Sequence, residues 1–289
     1  MAAFDSGIGF SIAGLLVGAA VGATGVGGGS LMTPVLILFY GISPSLAVGT
    51  DLLYASLSKS FGVLLYRKHG SVDWKIVGWQ ALGSVPSSLL TLLWLHHMGS
   101  SPALDHLIKL VLSVAIVVTA TFTLLQGTIA ARLRPVSRLA QGGAHSAVGP
   151  GISPRLQRGL TLAAGALIGC VVTISSVGAG VIGMMLLLLL YPKHPPVKIV
   201  GSDLAHAVLI TAIAGLGHAR LGSVDYHMLG WLLLGSLPGI WLGTQVGFRL
   251  DGATLKRVVA CLLLVVGSMS LAKAALPAAE AAPQAAAAR

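Results

Sequence analysis

Charge is what this chain has least of: 18 basic and 8 acidic residues make up 9% of its 289 positions, against roughly 25% in an ordinary soluble domain. So few Lys, Arg, Glu and Asp cannot cover a globule with a water-facing surface, and a soluble fold is excluded. Cysteine is almost missing as well. Cys170 and Cys261 each stand alone in an apolar run, so neither a disulfide framework nor a thiolate metal site is implied. No HExxH, P-loop or nucleophile–base arrangement occurs, and the chain reads as a non-enzyme without cofactor or metal. The N-terminus has Asp5 where a basic n-region would stand, and does not read as a cleaved signal peptide.

What is abundant is apolar sequence, 55% of the residues, with 38 glycines dispersed through it. Lipid is therefore the main solvent, and glycines inside apolar runs let helices approach closely. The net charge of +10 does not point to nucleic acid, because the basic residues form short clusters between apolar runs without interleaved aromatics; they read as cytoplasmic loop anchors. The expected fold class is an all-α polytopic membrane protein.

The apolar runs are roughly 8–23, 28–40, 46–66, 75–96, 106–127, 157–174, 178–191, 197–218, 226–247 and 255–276. Most are long enough to span, but 28–40 and 178–191 are too short to cross a hydrocarbon core of about 30 Å at 1.5 Å per residue. The residues 49–86 match 201–238 without a gap, with roughly sixteen of thirty-eight positions identical, among them Asp51 with Asp203, Ser71-Val72-Asp73 with Ser223-Val224-Asp225, and Gly83, Ser84 and Pro86 with Gly235, Ser236 and Pro238. VGGG at 26–29 meets VGAG at 177–180 after a one-residue slip, and Tyr40 meets Tyr191. The chain divides into a first transmembrane repeat (1–127), a basic cytoplasmic linker (128–157), a second repeat (158–276) and a disordered Ala/Pro tail (277–289). Two like halves around a midplane site is a recurrent plan of secondary transporters.

If 8–23 and 28–40 form a re-entrant hairpin turning at the glycines, each half has three net crossings and the halves are inverted. This arrangement puts thirteen Lys and Arg residues inside and four outside, and places Lys193, Lys198, Arg249, Lys256 and Arg257 inside, whereas parallel halves put those five outside. The positive-inside rule favours inverted repeats with broken, Gly-rich half-helices.

Gly27, Gly28, Gly29 and Ser30, with Ser175, Ser176, Gly178 and Gly180 in the second half, are the first candidate site. Broken helix at membrane depth must line a cavity or be buried in protein, and where the second half-helix starts, its free N–H groups and positive dipole end form an anion cradle. Ser30, Thr33, Ser175 and Ser176 could add hydroxyl donors. The alternative is close helix packing by small residues. The second candidate is the helix entered by Ser43-Pro44, with Thr50, Asp51 and, eight residues on, Lys59. Lys59 lies roughly 22 Å into the core, an expensive place for a charge. The partner helix keeps Asp203 and carries His206, but has Thr211 where Lys59 would fall. Helix-dipole compensation for the aspartates and snorkelling for the lysine are the structural alternatives.

Ser71-Val72-Asp73-Trp74 and Ser223-Val224-Asp225-Tyr226 read as helix starts, with Ser at the cap and Asp in the first turn. Gly235, Gly239 and Gly243 read as a packing seam. His96, His97 and His106 read as membrane-interface residues.

The opening VGGGSLMTPVLILFYGISPSLAVGTDLL, the GSVDW that follows, the GSVP helix and their repetition after a basic linker resemble the sulfite exporter TauE/SafE family of membrane transporters over nearly the whole chain. The resemblance implies movement of small anions, sulfite and organosulfonates such as sulfoacetate being the named examples, across the bacterial inner membrane. By match to the family motif it carries over Gly27, Gly28, Gly29, Pro34, Gly49 and Thr50; Met185 stands where Pro34 would align in the second half. The expected partners are a small anionic substrate and the lipid bilayer, with no nucleic acid; a proton or sodium ion as coupling ion and a homodimer stay open. A cation permease centred on Asp51 and Asp203 and a non-transport membrane assembly factor are the alternative functions.

Overall fold

The computed structural model describes residues 7–24, 29–67, 72–99, 101–141, 153–192, 194–247 and 252–275. These form ten helices: α1 (Gly7–Thr24), α2 (Gly29–Phe39), α3 (Pro44–Arg67), α4 (Trp74–Met98), α5 (Pro102–Gln141), α6 (Pro154–Ser175), α7 (Val181–Leu190), α8 (Pro196–Arg220), α9 (Tyr226–Gly247) and α10 (Gly252–Ala275). Proline opens α3, α5, α6 and α8, where its fixed φ suits the first turn and its missing N–H costs nothing. Gly99 at φ 59° follows α4 and ends it.

Four stretches among the described residues are long and apolar enough to cross a membrane: Trp74–Met98, Pro102–Leu125, Pro154–Ser175 and Val197–Arg220. Polarity is distributed as lipid requires. Leu90, Leu234 and Trp241 are 66%, 65% and 63% exposed, while Thr50, Asp51, Gln80 and Ser84 are fully buried. A water-soluble protein shows the reverse.

Helix α1 packs along α9, and α6 along α4, with backbones nearly touching. A Cβ placed on Gly14 or Gly18 would fall 2.3 or 2.6 Å from the carbonyl oxygens of Leu232 and Ser236, and one on Gly165 or Gly169 would meet those of Gln80 and Ser84 at 2.2 and 2.3 Å. In both pairs the contact advances in the same direction along both helices, so each pair is parallel. The seam read from Gly235, Gly239 and Gly243 is real: their added Cβ atoms would meet the carbonyls of Ser11, Leu15 and Ala19 on α1. By contrast, α3 crosses α8 antiparallel, Gly49 lying against His218 and Gly215 against Leu53. Helices α5 and α10 are antiparallel too: Ser113 donates to Ser270 at 2.8 Å, and Gly267 faces Ile116.

The short helices fold back on their predecessors. Tyr40, at the end of α2, donates its hydroxyl to the carbonyl of Gly9 near the start of α1 at 2.7 Å. At the end of α7, the Tyr191 hydroxyl meets Thr161 of α6 at 3.0 Å, and Gln157 Nε2 donates to Leu190 O at 2.6 Å.

Two local expectations differ from what is observed. The caps before α4 and α9 are the aspartates: Asp73 Oδ1 accepts from Lys75 N at 3.0 Å and Asp225 Oδ1 from Met228 N at 2.9 Å, while Ser71 lies outside the described residues. A short carboxylate immediately before the first helical residue reaches the free N–H groups best. Helix α5 also runs on to Gln141, into the stretch read as linker.

Candidate functional site

The broken helix of the second half is described in full. Helix α6 ends at Ser175; Ser176 follows in a left-handed conformation at φ 59°, and Gly178 and Gly180 stand at φ 110° and 140° before α7 begins. Those angles require glycine and re-aim the backbone within a few residues. Ser175 Oγ serves the turn itself, donating to Val171 O at 2.7 Å and accepting from Val177 N at 3.3 Å. In the first half Gly27 and Gly28 lie outside the described residues; Gly29 opens α2 and Ser30 follows in its first turn, and Ser30's side chain is likewise outside the described set.

Lys59 reaches this turn. Its side chain, 5% exposed, donates from Nζ to the carbonyl of Ala179 at 2.8 Å. It does not snorkel to an interface. It lies in electrostatic range of Asp203, more strongly, and of Asp51. The carboxylate of Asp203 rests on the first turn of α7, so that a Cβ on Gly183 would fall 2.1 Å from Oδ1. The positive end of a helix is where a carboxylate is most stable. Asp51 is bound by Thr33 of α2, whose hydroxyl donates to Oδ2. Ser176 stands beside the same carboxylate without closing a hydrogen bond, and both Asp51 Oδ1 and Ser176 Oγ are buried without a partner.

His206 lies one turn beyond Asp203 and meets Ser84 of α4, Nε2 to Oγ 2.8 Å. Thr50 is turned elsewhere: its hydroxyl accepts the N–H of Asp225 at 3.0 Å, tying α3 to the start of α9. The structure thus brings Thr33, Asp51, Lys59, Ser176 and Asp203 together around the α6–α7 turn, with His206 alongside and Thr50 apart. Among the described residues no cluster of His, Cys, Asp or Glu suits a metal ion.

Sequence reading passed over Gln80, Tyr54 and His218. Gln80, fully buried, has neither amide atom partnered; its matched residue is Leu232, and that polar-for-apolar difference was the available signal. Tyr54, matched to His206, faces Ser236 as His206 faces Ser84. His218 Nε2–H donates to the carbonyl of Thr173 in the last turn of α6 at 2.9 Å, leaving Nδ1 unpartnered. It helps line a cavity of about 80 Å³ with Ser45, His96 and Ser223, where the start of α3 meets the ends of α4 and α8.

The bundle is helical with large apolar side chains on its outer faces, and the sulfite exporter TauE/SafE family matches residues 10–269. The chain belongs to that family. It is 36% identical over 258 residues to the "Probable membrane transporter protein YjnA" of Bacillus subtilis (strain 168), covering 88% of this chain and 95% of that one. To the "Probable membrane transporter protein YunE" of the same organism it is 22% identical over 273 residues, 89% of this chain and 94% of that one. No solved structure matches the chain. This TauE/SafE member is therefore a multi-pass membrane transporter and not an enzyme.

Proposed function

We propose that this transporter moves small anions, sulfite or organosulfonates, across the bacterial inner membrane, and that the α6–α7 turn with Lys59 is part of its site. The observation that carries the reading is the Lys59 ammonium, buried and held by the Ala179 carbonyl at 2.8 Å, beside glycines whose positive φ angles turn the backbone there. A buried ammonium at a helix break attracts an oxyanion and repels a cation. The same charge weighs against a cation permease centred on Asp51 and Asp203, since it acts on both.

Inverted repeats are the arrangement proposed for the two halves, and two kinds of contact support it. Helices that correspond in the two halves, α3 with α8 by sequence and α5 with α10 by their place after it, cross antiparallel. Contacts also exchange between matched positions: Asp225 N to Thr50 Oγ1 at 3.0 Å pairs with Asp73 N to Ser202 Oγ at 2.8 Å, and Gly14 on Leu232 pairs with Gly165 on Gln80. The hairpins α1–α2 and α6–α7 then enter from opposite faces and meet near the centre.

A thermal-shift screen of the purified protein against sulfite, sulfonates, sulfate and carboxylates tests the function. A ligand at 100 times its Kd stabilises the native state by about 2.7 kcal/mol. Sulfite or a sulfonate should raise Tm most; stabilisation by a cation alone would overturn the reading.

A further inference from the structure

We propose that the cavity lined by His218 is a second binding site, on the route between one membrane face and the α6–α7 turn, and that it selects oxyanions carrying a hydroxyl group. The proposal rests on the anion reading above and names the substrate class within it: hydrogen sulfite and hydroxyalkyl sulfonates ahead of plain alkyl sulfonates. Two spaces join to form the route. The inner one, of about 80 Å³, is lined by Ser45, His96, His218 and Ser223. The outer cleft, of about 500 Å³, shares Ser45 and Leu104 with it and carries Asp105, His106 and Lys109. A water takes up about 10–15 Å³ of such space, so the inner cavity has room for several waters or for one sulfite-sized ion. Helices α3 and α5 begin at this face and α4 and α8 end there, so their dipoles oppose one another and the side chains set the chemistry.

His218 supplies the selective atom. Its ring is 2% exposed, and Nε2 lies 2.9 Å from the carbonyl oxygen of Thr173. A carbonyl only accepts, so Nε2 carries the hydrogen, and in the neutral imidazole Nδ1 is left as a bare acceptor. That nitrogen is buried without a partner. No carboxylate lines the inner cavity, so nothing there would pair with an imidazolium and the ring stays neutral. A buried acceptor calls for a donor. Sulfate and an alkyl sulfonate have no hydrogen to give; the hydroxyl of hydrogen sulfite or of a hydroxyalkyl sulfonate has one, while the Ser223 hydroxyl can donate to the anionic oxygens. The same ring joins the cavity to the central site, since Thr173 lies in the last turn of α6, the helix that runs into the turn Lys59 holds. His218 matches Tyr66 in the first half, so the repeat does not offer this nitrogen twice.

Ser45, where the two spaces meet, is the place for a reporter. In a chain whose Cys170 and Cys261 are replaced by Ala, Ser45→Cys should react with an anionic methanethiosulfonate, and bound ligand should slow that reaction. The probes are isethionate, a sulfonate with a hydroxyl group, and ethanesulfonate, which differs only in lacking it. Half-protection should need about two- to tenfold less isethionate than ethanesulfonate, the worth of one hydrogen bond. His218→Phe keeps a ring and removes both nitrogens, and should make the two sulfonates protect equally; Ser223→Ala should weaken both alike and keep their ratio. Equal protection with His218 intact means that Nδ1 holds a water only, and overturns the proposal. So does a ratio that survives His218→Phe, a ratio that disappears in Ser223→Ala, or failure of Ser45→Cys to react. Where His218→Phe does not fold, the comparison with His218 intact and Ser223→Ala still decide. A sulfonate that raises Tm but slows no labelling overturns this site and leaves the anion reading standing; sulfite and sulfonates that do neither overturn the anion reading itself.

Discussion

Removing the buried ammonium is the most informative perturbation. Lys59→Met keeps the length of the side chain and deletes the charge, the hydrogen bond to Ala179 O at 2.8 Å and the electrostatic support of Asp203 and Asp51. A hydrogen bond from a charged donor is worth about 1.5–3 kcal/mol. Met at 59 should therefore cost about 1.5–3 kcal/mol of stability as well as transport. Asp203→Asn should cost less, because the ammonium keeps its bond to Ala179 O. In Lys59→Met/Asp203→Asn neither charge remains, and the loss should fall short of the sum of the single losses by about 0.5–3 kcal/mol. Thermal unfolding of the four proteins in one detergent, read with isethionate binding, gives the cycle. If the losses add to within about 0.5 kcal/mol, Lys59 and Asp203 do not sense each other and the site as described is wrong.

Alanine at Gly235 should cost about 1–3 kcal/mol, because its Cβ would fall 1.8 Å from the Ser11 carbonyl, whereas Gly230→Ala on the same helix points into open space and should leave Tm unchanged or raise it; equal Tm values would refute the backbone contact. Gly180→Ala, at φ 140°, should cost about 1–3 kcal/mol and weaken isethionate binding more than Gly78→Ala, whose Cβ meets nothing within 4 Å. A C-terminal reporter active only in the cytoplasm should stay silent if the repeats are inverted; activity there would favour the parallel arrangement.

The sequence alone decided that this is a membrane protein with two short helices. That decision needs only composition and run length: 9% charge cannot cover a soluble surface, and a run of 13 or 14 residues, as in 28–40 and 178–191, cannot span about 30 Å. It also singled out Lys59 and the two aspartates, because an ionisable group at membrane depth is conspicuous whatever the fold. Tertiary structure decided what those charges do. Spacing along α3 places Asp51 and Lys59 on one face, but it does not show that Lys59 would turn to a carbonyl of α6–α7 and to Asp203, residues more than a hundred positions away. Nor could the shared Asp of the two halves reveal its neighbours, which are Thr33 of α2 and Ser176 for Asp51 and the first turn of α7 at Gly183 for Asp203. Thr50, matched to the family motif, proved to hold the N–H of Asp225, and Gln80 gave no signal beyond its apolar partner in the other half. A periodic pattern reports which face of a helix is apolar; the partner of a polar atom is set by which helix crosses it, and that crossing is decided by backbone contacts at glycines such as Gly14, Gly165 and Gly235, whose lack of a Cβ lets distant helices touch.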